Sequence, residues 1–260
     1  MRPKRVALFA VCLTLLFPTG IWADDGRAPV IVELFTSEGC SSCPSADNLL
    51  ARLEKTQPIE NAHVIALEEH VDYWNQLGWK DRFSNPLFRG RQNDYAKFFQ
   101  TDNIYTPQMV VSGQAQFVGD DAPRAYQEIG RAAANPKFMI RIRSGEAAQA
   151  HPDQTALSIR LKSLRRTRDE AATIYLAVTE SNLSSNVGAG ENAGHRLSHA
   201  PVVRSFGVIG KWDPKGSAEV ELRPTLKLPN DWKRDNLRAV VFVQEKDTQR
   251  ITGAAVSDLP

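Results

Sequence analysis

The chain has 260 residues, 42% of them hydrophobic and 24% charged, which is long enough for two ordinary cores and unlike disordered or collagen-like sequence. A total of 32 Lys and Arg against 30 Asp and Glu leaves a net charge of +2, and the excess lies in the first few residues. This balance argues against a nucleic-acid binder.

Arg2, Lys4 and Arg5 precede an apolar run from Val6 to Phe17, then Pro18-Thr19-Gly20 and the small residue Ala23. This is the three-part pattern of a secretory signal peptide over residues 1–23, with cleavage expected near Ala23 and a periplasmic or secreted product. The run is shorter than the roughly 20 residues that cross a bilayer, and no later segment approaches that length, so no membrane span is expected after cleavage. A lipid anchor needs a cysteine just past the run, whereas Cys12 lies inside it. Export leaves Cys40 and Cys43, one Cys-Ser-Ser-Cys that can form a disulfide in an oxidising compartment. No second pair is present for a four-cysteine zinc site.

Val30 to Phe35 reads as a short, mostly apolar strand, followed by a turn and the two cysteines. Pro44 to Lys55 reads as a helix, with Pro44 in its first turn and Leu49, Leu50 and Leu53 on one face. Val64 to Leu67 is a second buried strand, and the intervening helix implies a right-handed crossover that makes the two strands parallel. A polar and aromatic stretch from Glu68 to Phe83 and a helix from Pro86 to Gln100 read as an insertion. Tyr105-Thr106-Pro107 leads into Gln108 to Ser112, a turn at Ser112-Gly113 and a return strand from Gln114 to Val118. Asp120 or Asp121 then caps a helix carrying Pro123, Tyr126, Ile129 and Ala133.

From Phe138 the pattern alternates with period two: Phe138–Arg143, Ala156–Leu164, Thr173–Thr179, Val202–Phe206, Ala218–Leu222, Ala239–Val243 and Ile251–Val256. Short strands separated by Gly, Pro and Asp turns predict an antiparallel β-sandwich of about seven strands. The expected domains are 28–136, with the insertion at about 68–100, and 137–260. Gly190 to His195 is a loop signal; it either shapes the cysteine cleft or forms a long hairpin loop whose Glu191 and Asn192 bond backbone groups. His195 and His199 are four apart in a segment that does not read as a helix, which argues against a metal pair. Lys162 to Arg168 reads as a solvated turn. There is no nucleophile elbow and no phosphate-cradling glycine loop.

A Cys-x-x-Cys between a strand and a helix is the arrangement in which the first thiol faces solvent and the helix amides stabilise its thiolate. Together with Thr106-Pro107 before a hairpin, the order resembles the thioredoxin fold. That resemblance implies a cis bond at Pro107, a partner backbone bound at Thr106 and Pro107, and Glu33 as the buried acid that assists proton transfer. The segments VELFTSEGCSSCPSAD (32–47), HVDYWNQLGWKDRFS (70–84), YTPQMVVSG (105–113) and GENAGHRLSHAPVVR (190–204) are similar to an exported thioredoxin-like bacterial family, domain of unknown function 1223. The fold class expected from pattern and resemblance is α+β with two domains: an N-terminal thioredoxin-like α/β domain with a helical insertion, and the C-terminal β-sandwich.

Cys40 would then attack and Cys43 resolve, by mixed-disulfide exchange with a protein or small thiol and without a cofactor. His70, Asp72, Tyr73 and Trp74 follow the second strand and should emerge on the cysteine edge, where open sheets hold ligands. His70 or Asp72 would tune the thiol, and Tyr73, Trp74 and Trp79 would form an apolar rim; packing of the aromatics and a carbonyl bond from His70 explain the same residues. Two other functions remain open: a binding or scaffold protein of the cell envelope with a permanent disulfide, and a copper-handling protein using the cysteines and His70. Copper carriers of this type space their cysteines one residue wider.

Overall fold

The computed structural model describes residues 26–134, 136–144, 153–164 and 170–260. The leader expected at 1–23, Asn135 and the Arg165–Arg168 part of the basic run lie outside these residues.

β1 (Ala28–Thr36) is followed by α1 (Cys43–Thr56), in which Pro44 occupies the first turn and Leu49, Leu50 and Leu53 are buried. Burial of each leucine contributes about 2 kcal/mol by transfer from water. β2 (Ala62–His70) runs parallel to β1 over its whole length, with Ala28 opposite Ala62 and Thr36 opposite His70. α2 (Pro86–Phe99) starts where the Asn85 side chain accepts from Leu87 N. β3 (Gln108–Val111) and β4 (Ala115–Val118) form a hairpin, and Asp121 caps α3 (Ala122–Ala132). Gly113 in the hairpin turn has φ +67°, and a Cβ there would run into the carbonyl of Gln249.

β5 (Phe138–Ser144), β6 (Gln154–Ser163), β11 (Glu219–Leu222) and β12 (Thr225–Lys227) make a small sheet. β8 (Ser184–Asn186) and β9 (Arg196–Ser198) pair with each other. β7 (Ala172–Glu180), β10 (Val202–Trp212), β13 (Leu237–Glu245) and β14 (Ile251–Asp258) join β1 to β4 in one sheet of eight strands, in the order β14-β13-β7-β10-β2-β1-β3-β4.

That order corrects the expected fold class. β10 pairs in parallel with β2 through Val202 and Glu68, so strands from both halves of the chain share one mixed sheet. Among the described residues, no thioredoxin-like domain stands apart beside a separate sandwich. The free side of β2, which a self-contained α/β unit would leave to solvent or to its own strand, is taken by a strand from 130 residues downstream. Nor is the helical insertion an appendage, because one face of α2, carrying Phe88, Gln92 and Tyr95, is buried against the sheet while the other meets solvent.

The alternation of the strands explains this. Val30, Val32 and Leu34 of β1 with Val64 and Ala66 of β2 pack on α1 and α3. Ile174, Leu176 and Val178 of β7 with Ala239, Val241 and Val243 of β13 pack on the small sheet. The opposite side chains meet one another: Ile31, Phe35, Ile65 and Leu67 share one core with Ala177, Val240, Phe242 and Ile251, and with Phe88 and Tyr95 of α2. The sheet is therefore curled, with α2 filling the concavity, and Ile251 N at the start of β14 donates to Ser112 O beyond β3 at 2.9 Å.

Candidate functional site

Cys40 and Cys43 form a disulfide across the start of α1. Ser42 stands at the N-cap without a side-chain cap bond, and the first turn carries no acid, so the positive end of the helix faces the sulfurs uncompensated from within α1. Ser42 Oγ lies 3.3 Å from Cys40 Sγ. Cys40 is only 1% exposed and Cys43 fully buried, while Ser41 and Ser42 are exposed.

The cover comes from the loop between β8 and β9. Glu191 Oε2 accepts from Ser41 N at 2.9 Å, and Asn192 Nδ2 donates to both Glu38 O and Cys40 O at 2.9 Å. Bonds from Ser41 hold the Glu191 carboxyl below its usual range. Both readings of this loop meet here, since Glu191 and Asn192 do bond backbone groups, and those groups are the cysteine turn itself.

On the other side, Trp74 packs on Gly39, where an added Cβ would lie 3.3 Å from that of Trp74. Trp74 Nε1 donates to Thr106 Oγ1 at 2.8 Å. The Thr106–Pro107 bond is cis, as the resemblance implies, and Pro107 closes on Gly119 together with Leu34 of β1 and Ala46 of α1, leaving no room there for a Cβ. Cys40, Cys43, Trp74, Thr106 and Pro107 thus surround one turn.

The other residues singled out from sequence lie elsewhere. Asp72 pairs with Arg89 at 3.3 Å, and Tyr73 Oη donates to Gln92 Oε1 at 3.3 Å, so both turn toward α2. Glu33 lies on the α2 side of β1, bonded to Arg91 and to Tyr95 Oη at 2.5 Å, on the face opposite α1. Its buried neighbour Glu69 is pushed well up by burial and by Glu33. Trp79 donates to Glu38 Oε2 at 2.7 Å.

His70 is fully buried beneath the cysteine turn, and both of its ring nitrogens meet carboxylates rather than sulfur. Nδ1 is 2.6 Å from Asp81 Oδ2 and Nε2 is 2.9 Å from Glu68 Oε1. His199 repeats the arrangement, with Nδ1 2.9 Å from Glu68 Oε1 and Nε2 3.2 Å from Glu38 Oε1. Burial opposes the imidazolium, but Asp81 and Glu68 outweigh it at His70, and Glu38 and Glu68 bring His199 to about 9. Burial likewise opposes ionised Glu68, Glu38 and Asp81, yet bonds from the two histidines hold all three carboxyls down.

Asp47, one helical turn after Cys43, is buried with Oδ1 accepting from Thr36 Oγ1 at 2.7 Å. Burial and then the Glu68 charge push it up to about 8, so it carries a proton at neutral pH. Asp47, Glu38, Glu68, Asp81, Glu191 and Asn192 complete the site. The signals for Asp47 and Glu68 were the four-residue spacing from Cys43 and the Glu-Glu-His that ends an otherwise apolar strand.

Residues 31–244 match the family described as protein of unknown function (DUF1223). The chain belongs to this family. No curated protein matches it. This DUF1223 chain is similar to the crystal structure of protein AGR_C_4864 from Agrobacterium tumefaciens, with 25% identity and a TM-score of 0.62 over 88% of this chain and 94% of that one. It is also similar to HBP35 of Porphyromonas gingivalis, with 15% identity and a TM-score of 0.61 over 90% of this chain and 76% of that one, a likeness of fold alone. Among the described residues of the DUF1223 chain, no helix is long and apolar enough to cross a membrane.

Proposed function

We propose that this protein is an exported thiol–disulfide oxidoreductase whose redox pair is Cys40 and Cys43. The observation that carries this reading is the disulfide at the N-terminus of α1, whose own first turn carries no acid, with Thr106, Pro107 and Trp74 gathered at the same turn. The substrate is a protein or small thiol, and the leader at 1–23 directs the chain out of the cytoplasm.

A substrate thiolate attacks Cys40 Sγ, the Cys40–Cys43 bond breaks, and Cys43 leaves as a thiolate. Asp47, protonated at neutral pH and one turn along α1, supplies the proton that turns this thiolate into a thiol. A second substrate thiol then resolves the mixed disulfide and releases Cys40 reduced. In this reading Asp47 takes the part that the resemblance assigned to Glu33. The loop carrying Glu191 and Asn192 moves aside for the first step, because Cys40 is only 1% exposed.

That same burial favours the second reading, a binding or scaffold protein with a permanent disulfide. The reduction potential of the pair separates the two, measured by equilibration in glutathione or dithiothreitol buffers with mass-spectrometric trapping. A value between about −120 and −270 mV is expected for an exchange catalyst, and one below about −300 mV establishes the structural bridge instead.

A further inference from the structure

We propose that Glu68, His70 and His199 form a binding site for one divalent first-row transition metal, separate from the cysteine pair. The ligand atoms are Glu68 Oε1, His70 Nε2 and His199 Nδ1, all within 4.8 Å of one another and on buried residues. Each nitrogen is 2.9 Å from the shared oxygen. Metal bonds of about 2.0–2.2 Å to nitrogen and oxygen set ligand atoms about 3–3.5 Å apart, a spacing the two nitrogen–oxygen pairs already approach, while the two nitrogens, within 4.8 Å of each other, draw together to close around an ion.

The outer partners make this more than a meeting of polar groups. His70 Nδ1 faces Asp81 Oδ2, which is fixed by Glu38 N at 2.9 Å, while Asp81 Oδ1 accepts from Phe83 N at 2.8 Å. His199 Nε2 faces Glu38, whose other oxygen accepts from Trp79 Nε1 at 2.7 Å. In the metal-free protein the inner nitrogens carry protons toward Glu68; carboxylates on the far nitrogens hold the outer N–H groups, so that an ion displacing the two inner protons meets lone pairs on both rings. This is the carboxylate–histidine–metal arrangement.

Three lone-pair atoms converging in a buried space need positive charge between them, and either two ring protons or one divalent ion supplies it. Phe83 closes one side, its ring centroid 5.4 Å from that of His70 and 5.3 Å from that of His199. Two imidazoles and one carboxylate suit zinc, cobalt, iron or nickel, and leave a further coordination position open. The ion would tie His199, next to β9, to the end of β2, and so brace the loop that covers the cysteines.

The test uses the full exported chain with its disulfide intact, stripped with chelator in guanidinium and refolded with Co2+ or Zn2+. We expect one equivalent to survive desalting, cobalt ligand-field bands without a thiolate charge-transfer band, and a melting temperature several degrees above that of the metal-free protein. A Cys40→Ser/Cys43→Ser variant should keep the metal, whereas His199→Gln should lose it by at least tenfold in affinity while retaining a native circular dichroism spectrum. Should His199→Gln misfold, the cobalt spectrum of the unaltered chain decides. Failure of that chain to retain metal, or retention that depends on the cysteines, overturns the proposal.

Discussion

Asp47 illustrates how a single side chain adds its own slope to the pH response of the molecule. Its carboxyl is raised to about 8, chiefly by burial and then by Glu68. Below about pH 4 both folded and unfolded chains hold this proton and nothing is lost. Between about 4 and 8 only the unfolded chain releases it, so stability falls as pH rises, and above about 8 the loss is complete. The contribution is on the order of 5 kcal/mol across that window. Asp47→Asn, which cannot ionise, should remove this slope: calorimetric melting curves from pH 4 to 8 should converge at the acid end and favour the variant at the alkaline end. Parallel curves would show that Asp47 ionises as readily folded as unfolded. The same substitution should slow exchange at Cys43 while leaving the disulfide able to form.

Among the elements, the contact that matters most is between the β8–β9 loop and the start of α1. Glu191 puts a carboxylate on Ser41 N–H, at the helix end that would otherwise stabilise a Cys40 thiolate. Glu191→Gln should therefore make the pair more oxidising, with a less negative potential, and should speed alkylation of Cys40 in the reduced protein. An unchanged potential and alkylation rate would mean that the loop merely rests on the turn. Much at this scale was legible in the sequence. The three helices, the parallel β1–β2 pair, the hairpin after Pro107 and the longer strands from Phe138 onward follow from periodicity, prolines and caps, whereas the three-residue strands β8, β9 and β12 are too short to show a period. β2 was expected to stop at Leu67 because Glu68, Glu69 and His70 look unfit for a buried strand. It continues because His199 pairs with Glu68 and Asp81 with His70, while burial and Glu33 push the Glu69 carboxyl well up, toward its neutral form. Such pairings leave no local pattern, and for the same reason His199 and Asp81 could not be assigned to a site in advance.

At the scale of the whole molecule, the curled sheet makes the two halves of the chain interdependent. The β10–β2 bridge, the shared core around α2 and the bond from Ile251 to Ser112 all span the middle of the sequence. Unfolding should accordingly be one cooperative event, with coincident near- and far-ultraviolet transitions and equal calorimetric and van't Hoff enthalpies. Two resolved transitions would restore the picture of independent domains. The sequence could not reveal this, because alternation shows which face of a strand is buried but not which strand lies beside it.

The cover over the disulfide also has a place in time. Ser41 and the Glu191 that grips it are 150 residues apart, so the cysteine turn can fold on local contacts well before the loop that closes over it finds its place. In a chain that folds after export, Cys40 and Cys43 are thus most open to an oxidant in the interval before that loop docks.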